Sequence, residues 1–84
     1  MIVAQNDSPE RQEVEVFYLL DGEEQLLVPV PIAVGSSPGL EGSITGECTE
    51  GTLVARYLDG VEVERRPPGV CVGTVWRING NPAD

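Results

Sequence analysis

The chain has 84 residues, of which 14 are acidic and 5 are basic, so its formal net charge is −9 at pH 7. This length allows one small domain, and the absence of His and Lys removes the commonest general base, the commonest metal ligand and Schiff-base chemistry. The negative charge disfavours nucleic acid and anionic membranes, and no apolar run is long enough for a transmembrane helix.

The charge itself has two interpretations. A net charge far from zero keeps a small protein soluble, and it also attracts basic protein surfaces. The acids are dispersed, with Glu23-Glu24 as the longest run, so there is no acidic tail. Composition alone leaves both interpretations open.

The N-terminal residues 1–12 are predicted to form a polar arm, because 5–12 are polar and include a proline. No basic segment followed by an apolar stretch occurs there, so we expect no secretory signal. The expected location is the cytoplasm, or a particle assembled in the cytoplasm.

Two strands follow, over 13–20 and 25–34, joined by a turn at Asp21-Gly22. Pro29 and Pro31 have the same parity in the second strand, and neither can donate a hydrogen bond to a neighbouring strand. The pattern therefore predicts a strand at a sheet border, with Pro29 and Pro31 on its free edge. The register of this hairpin is expected to bring Tyr18 opposite Leu26.

A Gly- and Ser-rich loop is predicted over 35–43, a short strand over 43–48, and a hairpin with strands over 52–58 and 61–65. A three-residue turn ending at Gly60 gives this hairpin one apolar face. It pairs Arg56 with Glu62 and Ala55 with Val63. Glu62 and Glu64 are then expected on one solvated face.

A last strand is predicted over 70–78 and a tail over 79–84. No ten-residue segment has helical periodicity without Gly or Pro. The fold class is therefore all-β: a single domain over 1–84, built as a small antiparallel β-sandwich or partly open barrel of five to seven strands from hairpins, with negligible helix.

Cys48 and Cys71 form a candidate disulfide. Extending the second hairpin outward leaves Cys48 one residue away from facing Cys71, and a single bulge at Gly51 or at Pro67-Pro68 would remove that offset. The alternative is a pair of buried, reduced thiols in a cytoplasmic protein. Without His, the two cysteines make no complete metal site, and no metal or other cofactor is expected.

The remaining candidates are for binding a protein partner. Trp76 is either a core residue or an interface anchor. Arg65-Arg66 is the only basic cluster in the sequence. It can hold a phosphate or a partner carboxylate, or it offsets the surrounding acids. The full set of candidate contact residues is Pro29, Pro31, Leu40, Arg65, Arg66 and Trp76.

The stretch from Val14 to Val34, ending in Leu26-Leu27-Val28-Pro29-Val30, resembles the opening strand pair of the bacterial GerMN domain family. The resemblance covers about a quarter of the chain. The helices that such a domain would place next are missing, because 35–51 is rich in Gly and Ser. No function is carried over from that family.

No nucleophile has a plausible base and no cofactor motif is present, so the chain is not expected to be an enzyme. The sequence favours a non-catalytic accessory subunit, such as a decoration or stabilising protein of a virion or similar complex, that docks on protein or self-assembles through its border strand and terminal arms. The alternative is an acidic inhibitor that imitates nucleic acid and blocks a basic cleft. Neither function involves direct contact with nucleic acid or a membrane.

Overall fold

The computed structural model describes residues 2–40 and 47–80. Within these ranges the chain forms seven β-strands and no helix. The strands are β1 Ile2–Asn6, β2 Val14–Leu20, β3 Glu23–Leu26, β4 Gly39–Leu40, β5 Thr52–Tyr57, β6 Glu62–Arg66 and β7 Val75–Ile78.

The strands form two sheets, one of three strands in the order β4-β1-β7 and one of four in the order β3-β2-β5-β6. Both sheets contribute buried apolar side chains to one core, which includes Ile2, Val16, Leu53 and Ile78. The predicted all-β class is confirmed as a small sandwich. One pairing differs from the predicted antiparallel arrangement: β1 and β7 run parallel.

The predicted polar arm over 1–12 is wrong for its first half, since Ile2–Asn6 is the central strand of the smaller sheet. Ile2 and Ala4 alternate with half-buried residues and face the core. Asn6 is fully buried, and its amide donates hydrogen bonds to the carbonyls of Gln12 and Ile32. Its Oδ1 accepts the Ser8 N–H at 3.0 Å. This polar side chain therefore folds the following segment back onto the sheet, because a buried amide must be paired.

The first hairpin has a different register from the one predicted. Leu20 pairs with Glu23 and Phe17 with Leu26, so Asp21-Gly22 is a two-residue turn. Both turn residues have positive φ, 53° and 81°, as the tight hairpin turn that matches strand twist requires. Tyr18 consequently faces Gln25 rather than Leu26.

The second strand is shorter than predicted, since β3 ends at Leu26 instead of running to residue 34. The Leu27 N–H still donates a hydrogen bond to the Val16 carbonyl, and the next hydrogen-bonded pair is Val14 with Ile32. In a regular ladder the residue opposite Val14 would be Pro29, which has no N–H to donate. Ile32 donates to the Val14 carbonyl instead, at 2.8 Å, and residues 29–31 loop out.

The second hairpin has the predicted three-residue turn, with Gly60 at φ 92° and Arg56 opposite Glu62. One residue further along, the register shifts at a β-bulge. Ala55 therefore pairs with Glu64, and the predicted pairing of Ala55 with Val63 is wrong. The shift turns Glu64 towards the inside of the sandwich, where it is 4% exposed.

The last predicted strand is also shorter, because β7 covers only Val75–Ile78 and Gly73, at φ 96°, turns the chain before it. In the predicted tail, the backbone N–H groups of Asn79 and Gly80 donate hydrogen bonds to the side-chain carboxylate of Glu64. The tail residues 81–84 and most of the strand predicted over 43–48 lie outside the described residues.

Candidate protein-docking surface

A disulfide joins Cys48 and Cys71, with a sulfur–sulfur distance of 2.06 Å. The two residues also form an antiparallel β-bridge. Their pairing continues the register that β5 and β6 have beyond the bulge, so the extra residue in β6 removes the one-residue offset seen in the sequence. The predicted position of the bulge, at Gly51 or Pro67-Pro68, is wrong, because the register shifts nearer the hairpin turn, between Ala55 and Arg56.

The buried Thr49 side chain supports this crosslink. Its backbone N–H donates to the Val70 carbonyl at 2.8 Å, and its own carbonyl accepts the Gly69 N–H at 2.9 Å. Its Oγ1 also accepts the Val70 N–H at 3.1 Å. The crosslinked segments are thus paired by hydrogen bonds as well as by sulfur.

Glu64 is a buried carboxylate with every oxygen engaged. Oε2 accepts the indole N–H of Trp76 at 2.6 Å and lies 3.1 Å from the Arg66 guanidinium. Oε1 accepts the backbone N–H groups of Asn79 and Gly80 at 3.0 and 3.1 Å. These contacts join the free edges of β6 and β7, which are not paired strands. Glu64 therefore links the two sheets.

This arrangement removes several candidates from the surface. Trp76 is 2% exposed and Leu40 is 3% exposed, so neither is an accessible anchor and both belong to the core. Arg66 is held by Glu64, and Arg65 donates two hydrogen bonds to Glu62. The predicted basic cluster therefore serves ion pairs within the chain.

The two glutamates of β6 have different surroundings, contrary to the single solvated face predicted for them. Glu62 is exposed, and its hydrogen bonds with Arg65 lower the pKa of this carboxyl. The same pair raises the pKa of Arg65. Glu64 lies inside with its donors, so the two carboxylates do not face one space as an acid and base pair would need to.

Pro29 and Pro31 remain at the surface. They flank Val30, which is 67% exposed at the tip of the looped-out segment. Beside the tip lies a shallow apolar groove, which is lined by residues 28–33 together with Ser36, Pro38 and Gly39. Residues 29–31, called here the proline tip, and the groove form an apolar surface on an otherwise acidic molecule.

Strand β3 lies next to the proline tip and forms one border of the larger sheet. All four of its residues are exposed, and Leu26 is 44% exposed. Glu24 forms an ion pair with Arg56, whose guanidinium lies 4.9 Å from the centre of the Phe17 ring. A border strand with an apolar tip beside it can bind protein through main-chain and apolar contacts.

Sequence reasoning missed the roles of Asn6 and Glu64. The signal for Glu64 was present in the cysteine spacing, because the bulge that aligns Cys48 with Cys71 also turns Glu64 inward. Asn6 had no comparable signal, since its partners are backbone carbonyls of distant segments.

Within 2–40 and 47–80 no helix is long and apolar enough to cross a membrane. The same ranges contain no group of three or more His, Cys, Asp or Glu side chains arranged to hold a metal ion.

Comparison with known proteins gives no relative for this fold. No protein-family model, curated protein or solved structure matches the chain. The resemblance of Val14–Val34 to the GerMN opening strand pair is therefore unsupported by a family match.

Proposed function

We propose that the chain is a non-catalytic accessory subunit that docks on a larger protein assembly, as decoration or stabilising proteins do. The observation that carries the proposal is the proline tip, where Val30 is 67% exposed beside an open border strand. An apolar side chain held out between two prolines loses little conformational freedom on binding. Such a tip suits insertion into an apolar pocket of a partner.

The surface that supports docking differs from the one first expected. The border strand and Pro29 and Pro31 remain candidates, whereas β1 belongs to the core and is no free arm. The crosslink and the Glu64 contacts brace the opposite side of the sandwich. A rigid body that carries an exposed apolar tip is typical of a small binding module.

The test is association with the native assembly. The purified chain is mixed with extract from its native host, and large particles are separated by size exclusion. An accessory subunit should co-elute in fixed stoichiometry and stay bound in moderate salt. The variant Val30→Asp should lose this association, while the control Val72→Asp, at a valine 53% exposed elsewhere, should keep it.

A second candidate is an acidic inhibitor that imitates nucleic acid. It is favoured by the net charge of −9 and by the exposed Asp21, Glu23 and Glu24 at the first hairpin. Such a protein would bind one basic partner, compete with nucleic acid, and lose affinity steeply between about 50 and 200 mM salt. In that case Val30→Asp would leave binding intact.

A further inference from the structure

Within residues 2–40 and 47–80, the outward main-chain groups of Glu24 and Leu26 on the free edge of β3 have no hydrogen-bond partner. Because the Leu27 N–H bonds the Val16 carbonyl, residues 25 and 23 take the other bonded positions towards β2. The N–H and C=O groups of Glu24 and Leu26 therefore point away from β2, in the plane of the sheet and towards its free edge. We propose that this edge binds an extended segment of a partner protein whose side chains alternate between basic and apolar.

Strand β3 is better suited to this than the other sheet borders. The borders β6 and β7 are joined through Glu64, which binds Trp76 and the backbone of 79–80. The remaining border, β4, has two residues in the described part of the chain, Gly39 and Leu40. In β3 all four side chains are exposed, so an added strand meets no covering segment among the described residues.

The alternation of side chains along β3 sets the chemistry of the partner. Leu26 and Glu24 share the face that carries Phe17, and there Glu24 is already paired with Arg56. Apolar partner residues fit beside Leu26 on this face. Glu23 and Gln25 share the opposite face, where Glu23 forms no ion pair with any described residue and Asp21 lies nearby at the turn. Basic partner residues fit there.

Charge also excludes the simplest alternative occupant, which is the β3 edge of a second copy. Antiparallel pairing of two such edges would gather Glu23 and Glu24 of both copies in one short strand pair whose β3 residues include no basic side chain. Like charges this close together destabilise a strand pair. The acids therefore prevent self-pairing and select a strand of opposite charge.

The bound segment has a natural limit. Beyond Val28 the edge ends, because residues 29–31 loop out of the ladder before Ile32 pairs with Val14. An added strand therefore pairs over residues 23–28 and then meets the proline tip. This inference rests on the proposed docking function and adds the chemistry of the segment that is bound.

The probe is a capped synthetic heptapeptide of alternating Lys and Val, titrated at low salt into the isotope-labelled chain with its disulfide intact. We expect amide shift changes in NMR spectra centred on Glu24 and Leu26. A heptapeptide of alternating Glu and Val should cause none. Equal binding of the two peptides, or shift changes centred away from 23–28, would overturn the inference.

Two variants sharpen the test. Glu23→Lys should weaken binding of the basic peptide by about tenfold. The control Glu13→Lys makes the same charge change at an exposed site beyond the other end of β2, and should have a much smaller effect. Leu26→Pro removes one outward N–H and should also abolish binding. If the two charge reversals weaken binding equally, the attraction is general and the β3 site is wrong.

The outcomes separate this inference from the proposed function. Loss of assembly association in Val30→Asp, with no peptide binding at β3, retains the accessory role and rejects the strand-binding edge. Peptide binding at β3, with no host assembly found, retains the edge and rejects the accessory role.

Discussion

Glu64 shows how one residue can hold a small sandwich together. It is buried, yet each oxygen has donors, from Trp76, Arg66 and the backbone of Asn79 and Gly80. Removing one partner of a buried charged network leaves the others unpaired in a poorly solvated place, and this costs more than the network contributes when it is intact.

The variant Glu64→Gln should therefore lower the free energy of unfolding by about 3 kcal/mol, because its amide N–H₂ would face N–H donors. Urea unfolding followed by fluorescence of Trp76, the single tryptophan, measures the change. In the control Glu62→Gln, at an exposed site, the loss should be below about 1 kcal/mol. Equal effects of the two variants would show that Glu64 is not the linking residue.

Glu62 makes a smaller, pH-dependent contribution. Arg65 lowers the pKa of this carboxyl in the folded chain, so the folded state favours the ionised form. The resulting stability is present above the ordinary glutamate pKa of about 4.3 and is lost as pH falls through the lowered folded value.

The difference in unfolding free energy between the wild type and Glu62→Gln should accordingly be present at neutral pH and disappear in acid. Urea titrations at a series of pH values measure it. A difference that grows as the pH falls would contradict the sign of this pKa shift.

Among the elements, the proline tip is an insertion in an otherwise regular ladder. Leu27 bonds Val16 and Ile32 bonds Val14, with residues 29–31 extra between them. Removing the three residues places Ile32 where a regular strand needs it. The cost of shortening such a loop is small.

Deletion of residues 29–31 should thus change the free energy of unfolding by less than about 1 kcal/mol. Deleting only residues 29–30 should lower the free energy of unfolding much more. One extra residue, Pro31, would then remain in the ladder, and it would reverse the side of the sheet that Ile32 faces. Thermal unfolding of the two variants distinguishes them. If the longer deletion is the more damaging one, the tip has a structural role.

The crosslink between Cys48 and Cys71 stabilises another element, because it fixes the outer end of the second hairpin. The bond spans 23 residues, and closing a loop of this length stabilises by about 3 kcal/mol. The double variant Cys48→Ala/Cys71→Ala should lose that amount in urea unfolding. Reducing agent should lower wild-type stability equally and leave the double variant unchanged; a response of the variant would point to another cause.

Many of the strands and hairpins could be predicted from the sequence, and the errors have a common physical origin. Periodicity and turn residues identified the all-β class and the hairpin containing Arg56 and Glu62. Strand continuity was wrong at Pro29, since a missing donor can be bypassed by looping out residues. Strand β1 was missed because its hydrogen bonds are made with β4 and β7, which are remote in sequence.

The candidate site was predicted less well than the fold. Pro29 and Pro31 are at the surface, whereas Trp76 and Leu40 are core residues and Arg65 and Arg66 are bound within the chain. The residue type alone does not show whether an apolar or charged side chain is buried or exposed. Its role depends on the register, and one bulge changes the register.

At the scale of the whole molecule the net charge of −9 acts on a body only 26–32 Å across. At about 0.01 M salt the screening length is about 30 Å, so all the acids repel one another; at about 0.15 M it is about 8 Å. The melting temperature should therefore rise with added sodium chloride over this range, because self-repulsion outweighs three ion pairs among the described residues. Calorimetry measures it, and a fall would show that the ion pairs dominate.

The parallel pairing of β1 with β7 has a consequence for how the molecule is made. The N–H groups of Val3 and Asp7 donate hydrogen bonds to the carbonyls of Thr74 and Ile78, which a ribosome adds about 70 residues later. Until β7 has been made, the strand that carries Ile2 and Ala4 lacks its parallel neighbour. A domain in which β1 is completed only by β7 therefore closes late and cooperatively, and the acids made before β7 help to keep the nascent segment soluble until then.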